Sequence, residues 1–221
     1  MIPIYIDDSI AAAGVVVRLA CVQAHVLVPE APDPGLDDAL DRAVARAGKH
    51  LIEKPPAEWP TVAAARSAYR ALGKDPARYR PSAEALLRRI ARGEAPVRVN
   101  AVVDVNNLVS IETGISIGCY DADRIGGDVI MRRGEAGESY EGIGRGPLNL
   151  EGLPLLADAA GPFGCPTSDS ERTKVTAQTA NVLMVLFDFG AIGAVDRAAA
   201  RAIETLETAA EGRDVATWIV G

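Results

Sequence analysis

The densest group of reactive side chains in this sequence lies between residues 164 and 175, where the chain reads GCPTSDSERTKV. The run holds four hydroxyls, two carboxylates and two basic groups: Thr167, Ser168, Ser170, Thr173, Asp169, Glu171, Arg172 and Lys174. Together these groups can donate and accept charge-assisted hydrogen bonds, as a polar substrate requires. A solvated loop can have the same composition. The run is therefore either an indifferent loop or the lining of a site.

A second polar feature is the pair Asn106 and Asn107, which interrupts the apolar segment from Val103 to Ile111. If residues 104–111 form a helix, Asn107 and Ile111 share one face of it. Amide side chains cost free energy when they are buried without partners. The two asparagines therefore either bond to nearby backbone groups or fix a polar substrate or a water molecule.

Other short motifs give little chemistry. The GIGRG segment at 142–146 lacks the full glycine pattern of a dinucleotide loop and opens no helix, so it predicts a tight turn between strands. Neither a nucleophile-elbow motif nor a metalloprotease motif occurs. Cys165 has no histidine near it in the sequence, which favours a small, partly buried cysteine over a nucleophile.

The three cysteines and two histidines exclude several classes of site. The cysteines are far apart and odd in number, and no pair has the spacing of metal ligands. We therefore expect no metal, no cofactor and no disulfide framework, and we expect the protein to reside in a reducing compartment.

The first ten residues carry two acidic groups and no lysine or arginine, unlike a signal peptide. Arg18 and His25 make the following apolar run a poor membrane span. These observations predict a cytoplasmic protein with no membrane contact.

Charge is distributed unevenly along the chain. The segment 61–100 carries nine basic and three acidic side chains, a local net charge of +6 in a chain of −7. This asymmetry suggests that one face of the protein binds a polyanionic partner. Arg88 and Arg89 are the candidate RNA-binding residues of this segment. The alternative is that the basic faces of two helices are simply solvated.

The periodicity of apolar residues predicts a mixed α+β chain. Strands are expected at IPIYI, across GVVVRLACVQAHVLV, between residues 128 and 158, and at TANVLMVLFDF, the last of them buried on both faces. Helices are expected over 36–51 after the linker PEAPDPG, over 61–72, after Ser82, and over AVDRAAARAIETLETAAEG, where Gly212 would end the helix. Thr61 and Ser82 are candidate N-caps.

A resemblance covers about half of the chain. VNAVVDVNNLVSIETGISIGCYDADRI, GESYEGIGRGPLNLEGLPLLAD and GPFGCPTSDSERTKVTAQTANVLMVLF occur in this order, after RPSAEALLRR. Together they resemble the B3/B4 domain of the phenylalanyl-tRNA synthetase β subunit, and most closely its freestanding relatives. The resemblance implies a three-layer α/β domain with an antiparallel-rich sheet core. We expect residues 1–60 to pack on a B3/B4-like domain over 61–221, whose motifs lie in 80–189, as one compact unit.

The same resemblance implies an editing activity. In the synthetase this domain hydrolyses tyrosine that has been wrongly esterified to its tRNA, and the pocket glutamate falls on Glu171. The histidine that some bacterial synthetases place before Ala-Phe-Asp falls on Gly118 here. A histidine-assisted mechanism is therefore not expected for this chain, and the amino acid that is cleaved stays open.

Roles for the polar residues follow from the chemistry of an aminoacyl ester. Glu171 or Asp169 would hold the α-ammonium, and backbone N–H groups around Ser168 or Thr173 would stabilise the oxyanion. Asn106, Asn107 or Thr173 would orient the attacking water. The role of Arg172 stays open between binding the terminal phosphate and pairing with an acid. Arg80 and Ser82 either line a second edge of the site or have structural roles, Arg80 as an ion-pair partner and Ser82 as a helix cap.

These roles predict a trans-acting hydrolase that edits a mischarged tRNA. Two other functions remain: a non-catalytic module that binds RNA or an aminoacyl group, and a binder or hydrolase of a small amino-acid derivative. The basic segment favours tRNA as the partner, and no DNA is expected. The absence of a histidine near the motifs favours a binding module. The oligomeric state is left open.

Overall fold

The computed structural model describes residues 1–29, 33–190 and 193–221. Within them the chain forms six α-helices and ten β-strands, which confirms the α+β class. The helices are α1 (Asp8–Ala12), α2 (Pro34–Glu53), α3 (Pro60–Ala71), α4 (Ser82–Ala91), α5 (Ala101–Thr113) and α6 (Ala194–Ala209). No helix within those ranges is long and apolar enough to cross a membrane. The linker predicted at residues 29–35 falls partly outside the described residues.

Two four-stranded sheets and one hairpin organise the strands. The strands are β1 (Ile4–Ile6), β2 (Arg18–His25), β3 (Ser116–Asp121), β4 (Val129–Arg133), β5 (Ser139–Gly142), β6 (Gly146–Asn149), β7 (Pro154–Asp158), β8 (Gly161–Gly164), β9 (Asn181–Asp188) and β10 (Arg213–Val220). The first sheet has the order β1-β4-β7-β8 and the second β10-β2-β9-β3. Strands β5 and β6 pair as a hairpin, which confirms the turn predicted at GIGRG. Only β1 and β4 pair in parallel among these strands.

Strand β9 shows why the domain has three layers. Its side chains alternate: Val182, Met184 and Leu186 pack with helices α2, α4, α5 and α6. Leu183 and Val185 point the other way, into a core shared with the first sheet and α3. Because both faces are covered, the strand is apolar almost throughout, as a strand buried on both faces requires. The structure thus confirms the doubly buried strand and places β3 at the edge of the second sheet.

Three local predictions need correction. Helix α3 begins at Pro60 with Trp59 at the N-cap position, and the Thr61 hydroxyl donates to the carbonyl of Thr113 instead of capping the helix. Helix α4 begins at Ser82 itself, after Pro81. The sequence also missed β10, the strand that follows α6 and pairs with β2. In each case a contact distant in sequence, rather than a local signal, determines the structure. The division of the chain at residue 60 stays a prediction.

Candidate functional site

The polar run 164–175 lies against the free edge of β3. The backbone N–H of Cys119 donates to Oδ2 of Asp169 at 3.2 Å, across fifty residues of sequence. One residue further along the strand, Tyr120 forms an antiparallel bridge with Lys174. The run is thus anchored to the edge of the second sheet by one side-chain hydrogen bond and one isolated backbone bridge.

The β5–β6 hairpin covers the opposite side of this run. Gly142 forms an antiparallel bridge with Ser170, and the hydroxyl of Tyr140 donates to the carbonyl of Ser168 at 2.5 Å. The same hydroxyl lies 3.2 Å from the sulfur of Cys165. Burial raises the pKa of the Cys165 thiol, which agrees with the prediction of a buried cysteine.

The first turn of α4 fixes the start of the run. The amide of Ser82 donates to the carbonyl of Pro166 at 2.7 Å, so Ser82 acts here through its backbone. The next amide, that of Ala83, donates to the hydroxyl of Ser116 at the start of β3. The free N–H groups of this helix end are thereby satisfied by the run and by β3 rather than by a side-chain cap.

The carboxyl group of Asp169 is the most perturbed acid of the site. Oδ1 is buried and makes no hydrogen bond of ordinary geometry with a described residue, although the Tyr120 hydroxyl beside the carboxyl group stabilises its charged form. Burial raises the pKa of Asp169 to about 7, against opposing contributions from the Tyr120 hydroxyl and the amides of Cys119 and Cys165. A carboxylate with a pKa near neutrality is suited to accept a proton at physiological pH.

Two glycines make room for Tyr120 beside that carboxyl group. The Tyr120 side chain is fully buried and meets Phe163 edge to face, with ring centroids 4.9 Å apart. A Cβ added at Gly118 or at Gly164 would overlap the Tyr120 hydroxyl. This hydroxyl therefore occupies the space that a side chain at position 118 or 164 would need, so both positions require glycine in this fold.

Glu171 lies at the surface end of the run, in a 3₁₀ turn from Glu171 to Thr173. Its side chain is 41% exposed and pairs with Lys174 at 2.5 Å. This hydrogen bond lowers the pKa of Glu171, and the amide of Gly144 in the hairpin acts in the same direction. Glu171 is therefore ionised at neutral pH and accessible to a cation that exchanges with Lys174.

Thr173 and Arg172 have different surroundings from Glu171. Thr173 is fully buried, and its hydroxyl lies 3.4 Å from that of Ser170. Arg172 binds the Asp158 carboxylate with two hydrogen bonds, at 3.0 and 2.9 Å, so the ion pair left open by the sequence is present. Because Thr173 is fully buried, it can contact a substrate only if the residues that cover it move apart.

The asparagine pair lies on α5, a helix that contains residues 104–111 and packs on β3. Oδ1 of Asn106 is buried without a partner, and so is the hydroxyl of Ser110 one turn later. Such atoms are rare in folded proteins and are generally satisfied by water or by a ligand. No hydrogen bond between described residues joins Asn106 or Asn107 to the run 164–175. Their shared role stays a prediction.

The basic segment is organised around a carboxylate that the sequence analysis did not single out. Glu84 is fully buried, and Arg66 contacts both of its oxygens at 3.0 and 2.9 Å. Arg88 donates to it at 2.8 Å, and Arg80 lies 3.7 Å away. The (i, i+4) spacing of these two arginines about Glu84 is the signal that could have revealed the cluster.

Arg89 is held differently from Arg88. Its guanidinium lies 3.6 Å from Glu94, which Arg92 also contacts at 2.7 Å. The Arg89 side chain is 42% exposed, similar to the 41% of Arg88. Both arginines can therefore reach an anion in solvent while they are ion-paired.

Among the described residues, no group of histidine, cysteine or acidic side chains is arranged to hold a metal ion.

Comparisons with known proteins match this architecture. A family model described as the B3/4 domain matches residues 64–211. The β subunit of phenylalanine–tRNA ligase from Cutibacterium acnes is 32% identical over 107 residues, 47% of this chain and 12% of that protein. Its counterpart from Bartonella quintana is 32% identical over 104 residues, 45% of this chain and 13% of that protein.

One solved structure is also similar. It is an N-terminal fragment of the phenylalanyl-tRNA synthetase β subunit from Pyrococcus horikoshii, with a TM-score of 0.48 and 15% identity. The similarity covers 99% of this chain and 50% of that one. The chain spans only a small part of the length of the curated relatives it matches.

Proposed function

The chain belongs to the B3/4 domain family, and from this membership we propose that it hydrolyses, in trans, the ester bond of a mischarged aminoacyl-tRNA in the cytoplasm. The relatives are named as β subunits of a phenylalanine–tRNA ligase, so their names connect the family with tRNA. The observation that carries the proposal is the Asp169 carboxyl group, which has a buried oxygen and a pKa that burial raises to about 7.

In the proposed reaction Asp169 is the general base. A water molecule attacks the ester carbonyl carbon while Asp169 takes its proton. The bond between the carbonyl carbon and the ribose oxygen then breaks, and the proton passes to that oxygen, which leaves as a hydroxyl. The products are the free amino acid and the uncharged tRNA. Asn106 and Asn107 would orient the water, and backbone N–H groups around Ser168 and Thr173 would stabilise the oxyanion.

Glu171 would bind the α-ammonium of the amino acid, in place of Lys174. Glu171→Gln keeps the shape and removes the charge, and a hydrogen bond to a charged group contributes roughly 1.5–3 kcal/mol. We expect kcat/KM for deacylation to fall ten- to a hundredfold, with little change in tRNA affinity. Glu141→Gln, at an exposed acid of the neighbouring hairpin, is the matched control. Full activity in the Glu171 variant would remove it from the site.

The tRNA phosphates would bind the exposed arginines of the basic segment. Replacing Arg88 and Arg89 together by alanine should weaken tRNA binding and flatten its salt dependence, since each lost phosphate contact removes about one unit of slope. Filter binding of tRNA at several salt concentrations measures this slope. Arg18→Ala, at an ion-paired arginine with 40% exposure, is the control. An unchanged slope would mean that the two arginines only form part of the solvated surface.

The experiment that tests the activity is incubation with a panel of mischarged tRNAs, with free aminoacyl esters alongside. We expect release of one amino acid from its non-cognate tRNA. Binding without release from any member of the panel would instead support a non-catalytic module that binds RNA or aminoacyl groups. One observation favours that second function: the Tyr120 hydroxyl takes up the space above Gly118, where some synthetases carry a histidine.

A further inference from the structure

A groove on the helical side of the domain passes over Trp59. Two cavities, of about 310 Å³ and about 400 Å³, are both lined by Trp59 and Glu112. The first extends to Arg46 and His50 on α2, and the second to Arg197 at the start of α6. The groove therefore runs from one arginine to the other, with the indole ring between them.

The charge along this groove is positive. Glu112, at its centre, is neutralised twice, by Arg46 at 2.9 Å and by Arg201 at 3.1 Å. Arg197 is exposed and makes no ion pair with a residue that the structure describes. Among the side chains that line the two cavities, the groove thus offers two arginines, Arg46 and Arg197, and one acid, Glu112, which is already paired.

The aromatic residues of the groove are held in place. His50 meets Trp59 edge to face, with ring centroids 5.2 Å apart. Below the indole ring is Gly114, where an added Cβ would lie 3.3 Å from Trp59 and 2.5 Å from the Thr61 hydroxyl. The ring is therefore packed against backbone, while the residue keeps part of its surface exposed. A fixed indole ring that borders both cavities is a suitable platform for stacking.

Part of this groove lies outside the family match. Helix α2 and Trp59 precede residue 64, where the match to the B3/4 model begins. The opposite wall, with Glu112 and Arg197, lies inside it. The groove is thus formed where the first sixty residues of this chain pack against the family domain.

We propose that this groove binds single-stranded RNA, with one base stacked on Trp59 and the flanking phosphates on Arg46 and Arg197. Basic grooves with aromatic platforms are how proteins bind unpaired strands without sequence preference. The proposal rests on the proposed function in one respect: the strand would be the unpaired end of the tRNA substrate. Gly114, under the indole ring, leads into β3, the strand whose Cys119 amide holds Asp169.

Anisotropy of a fluorescein-labelled oligoribonucleotide of roughly eight nucleotides tests the groove. Trp59→Leu should raise the Kd about 5- to 140-fold, because stacking of one base on an aromatic ring contributes that much. Replacing Arg46 and Arg197 by alanine should flatten the salt slope by about 0.7 for each lost phosphate contact. The control is Arg213→Ala, since Arg213 is 69% exposed and ion-paired, as Arg46 is at 68%.

A Kd and a salt slope that remain unchanged in both folded variants would overturn the proposal. If Trp59→Leu does not fold, the double arginine variant decides, because both side chains are exposed. Blunt duplex RNA should compete poorly with the oligonucleotide, and equal competition would also contradict the proposal.

Hydrolysis of free aminoacyl esters tests the proposed function separately from the groove. Ester turnover without oligonucleotide binding refutes only the groove, whereas binding without turnover of any substrate refutes only the hydrolase.

Discussion

Asp169→Asn is expected to lower kcat/KM for deacylation by roughly 10²–10⁴-fold, the contribution of a general base. The amide has nearly the same shape and can still accept the hydrogen bond from the Cys119 amide. It cannot take a proton from water. Single-turnover deacylation of a mischarged tRNA measures the loss of the chemical step, and circular dichroism checks that the fold is intact.

The pH dependence of the parent protein should follow the same carboxyl group. Because burial raises the pKa of Asp169 to about 7, the base is protonated below that pH. We therefore expect activity to rise as the pH increases through about 7 and then to level off. This rise should be absent from the residual activity of Asp169→Asn.

Stability should change in the opposite direction to activity. The pKa of Asp169 in the folded protein exceeds its ordinary value of 3.8, so between pH 4 and 7 the folded state binds the proton more tightly than the unfolded state. Stability then falls as the pH rises through this window. Asp169→Asn removes the buried charge, so the variant should have a higher Tm than the parent at pH 8 and lose this advantage near pH 4.

Asp123→Asn is the matched control for these experiments. Asp123 is an exposed carboxylate just beyond the end of β3 and accepts hydrogen bonds from Asn181. Its substitution should leave both the rate and its pH profile unchanged. Parental activity in Asp169→Asn would show that another group is the base, or that the reaction needs none.

The polar run 164–175 shows what its sequence could and could not predict. Its density of charged and hydroxyl groups made it a candidate site, and its role as a site stays a prediction. The order of exposure along it was not predictable: Asp169 has a buried carboxyl oxygen and Glu171 is half exposed, because the edge of β3 and the β5–β6 hairpin cover different parts of the run. These contacts join residues that are distant in sequence, and no local pattern encodes them.

The helix starts failed for a related reason. Thr61 and Ser82 both have the residue type and position of an N-cap. In the fold the Thr61 hydroxyl donates to Thr113, and the Ser82 amide donates to Pro166. In both cases the residue donates to a carbonyl distant in sequence, and its side chain does not accept the backbone N–H that an N-cap would accept. Strand β10 was missed because its alternation is short and its charged first residues continue the polar end of α6.

Glu84→Gln is expected to destabilise the fold by about 3–5 kcal/mol, the cost of breaking a buried ion pair from one side. Glu84 is fully buried, and the side chain of Arg66, which contacts both of its oxygens, is only 16% exposed. An amide offers one acceptor oxygen and no charge, so this guanidinium would remain buried without compensation. Urea denaturation should show a lower midpoint with an unchanged m-value, and Tm should fall by about 2–4 °C per kcal/mol.

Glu94→Gln distinguishes the effect of burial from that of charge. Glu94 also pairs with two arginines of the basic segment, Arg89 and Arg92, but its side chain is 46% exposed. Water can replace the lost partner there, so we expect little change in the midpoint. Equal midpoints for Glu84→Gln and the parent would show that Arg66 reaches solvent. A loss at Glu84 alone would mean that the buried carboxylate stabilises the fold through its arginine partners, which include Arg88, one of the two arginines that the proposed function directs at tRNA.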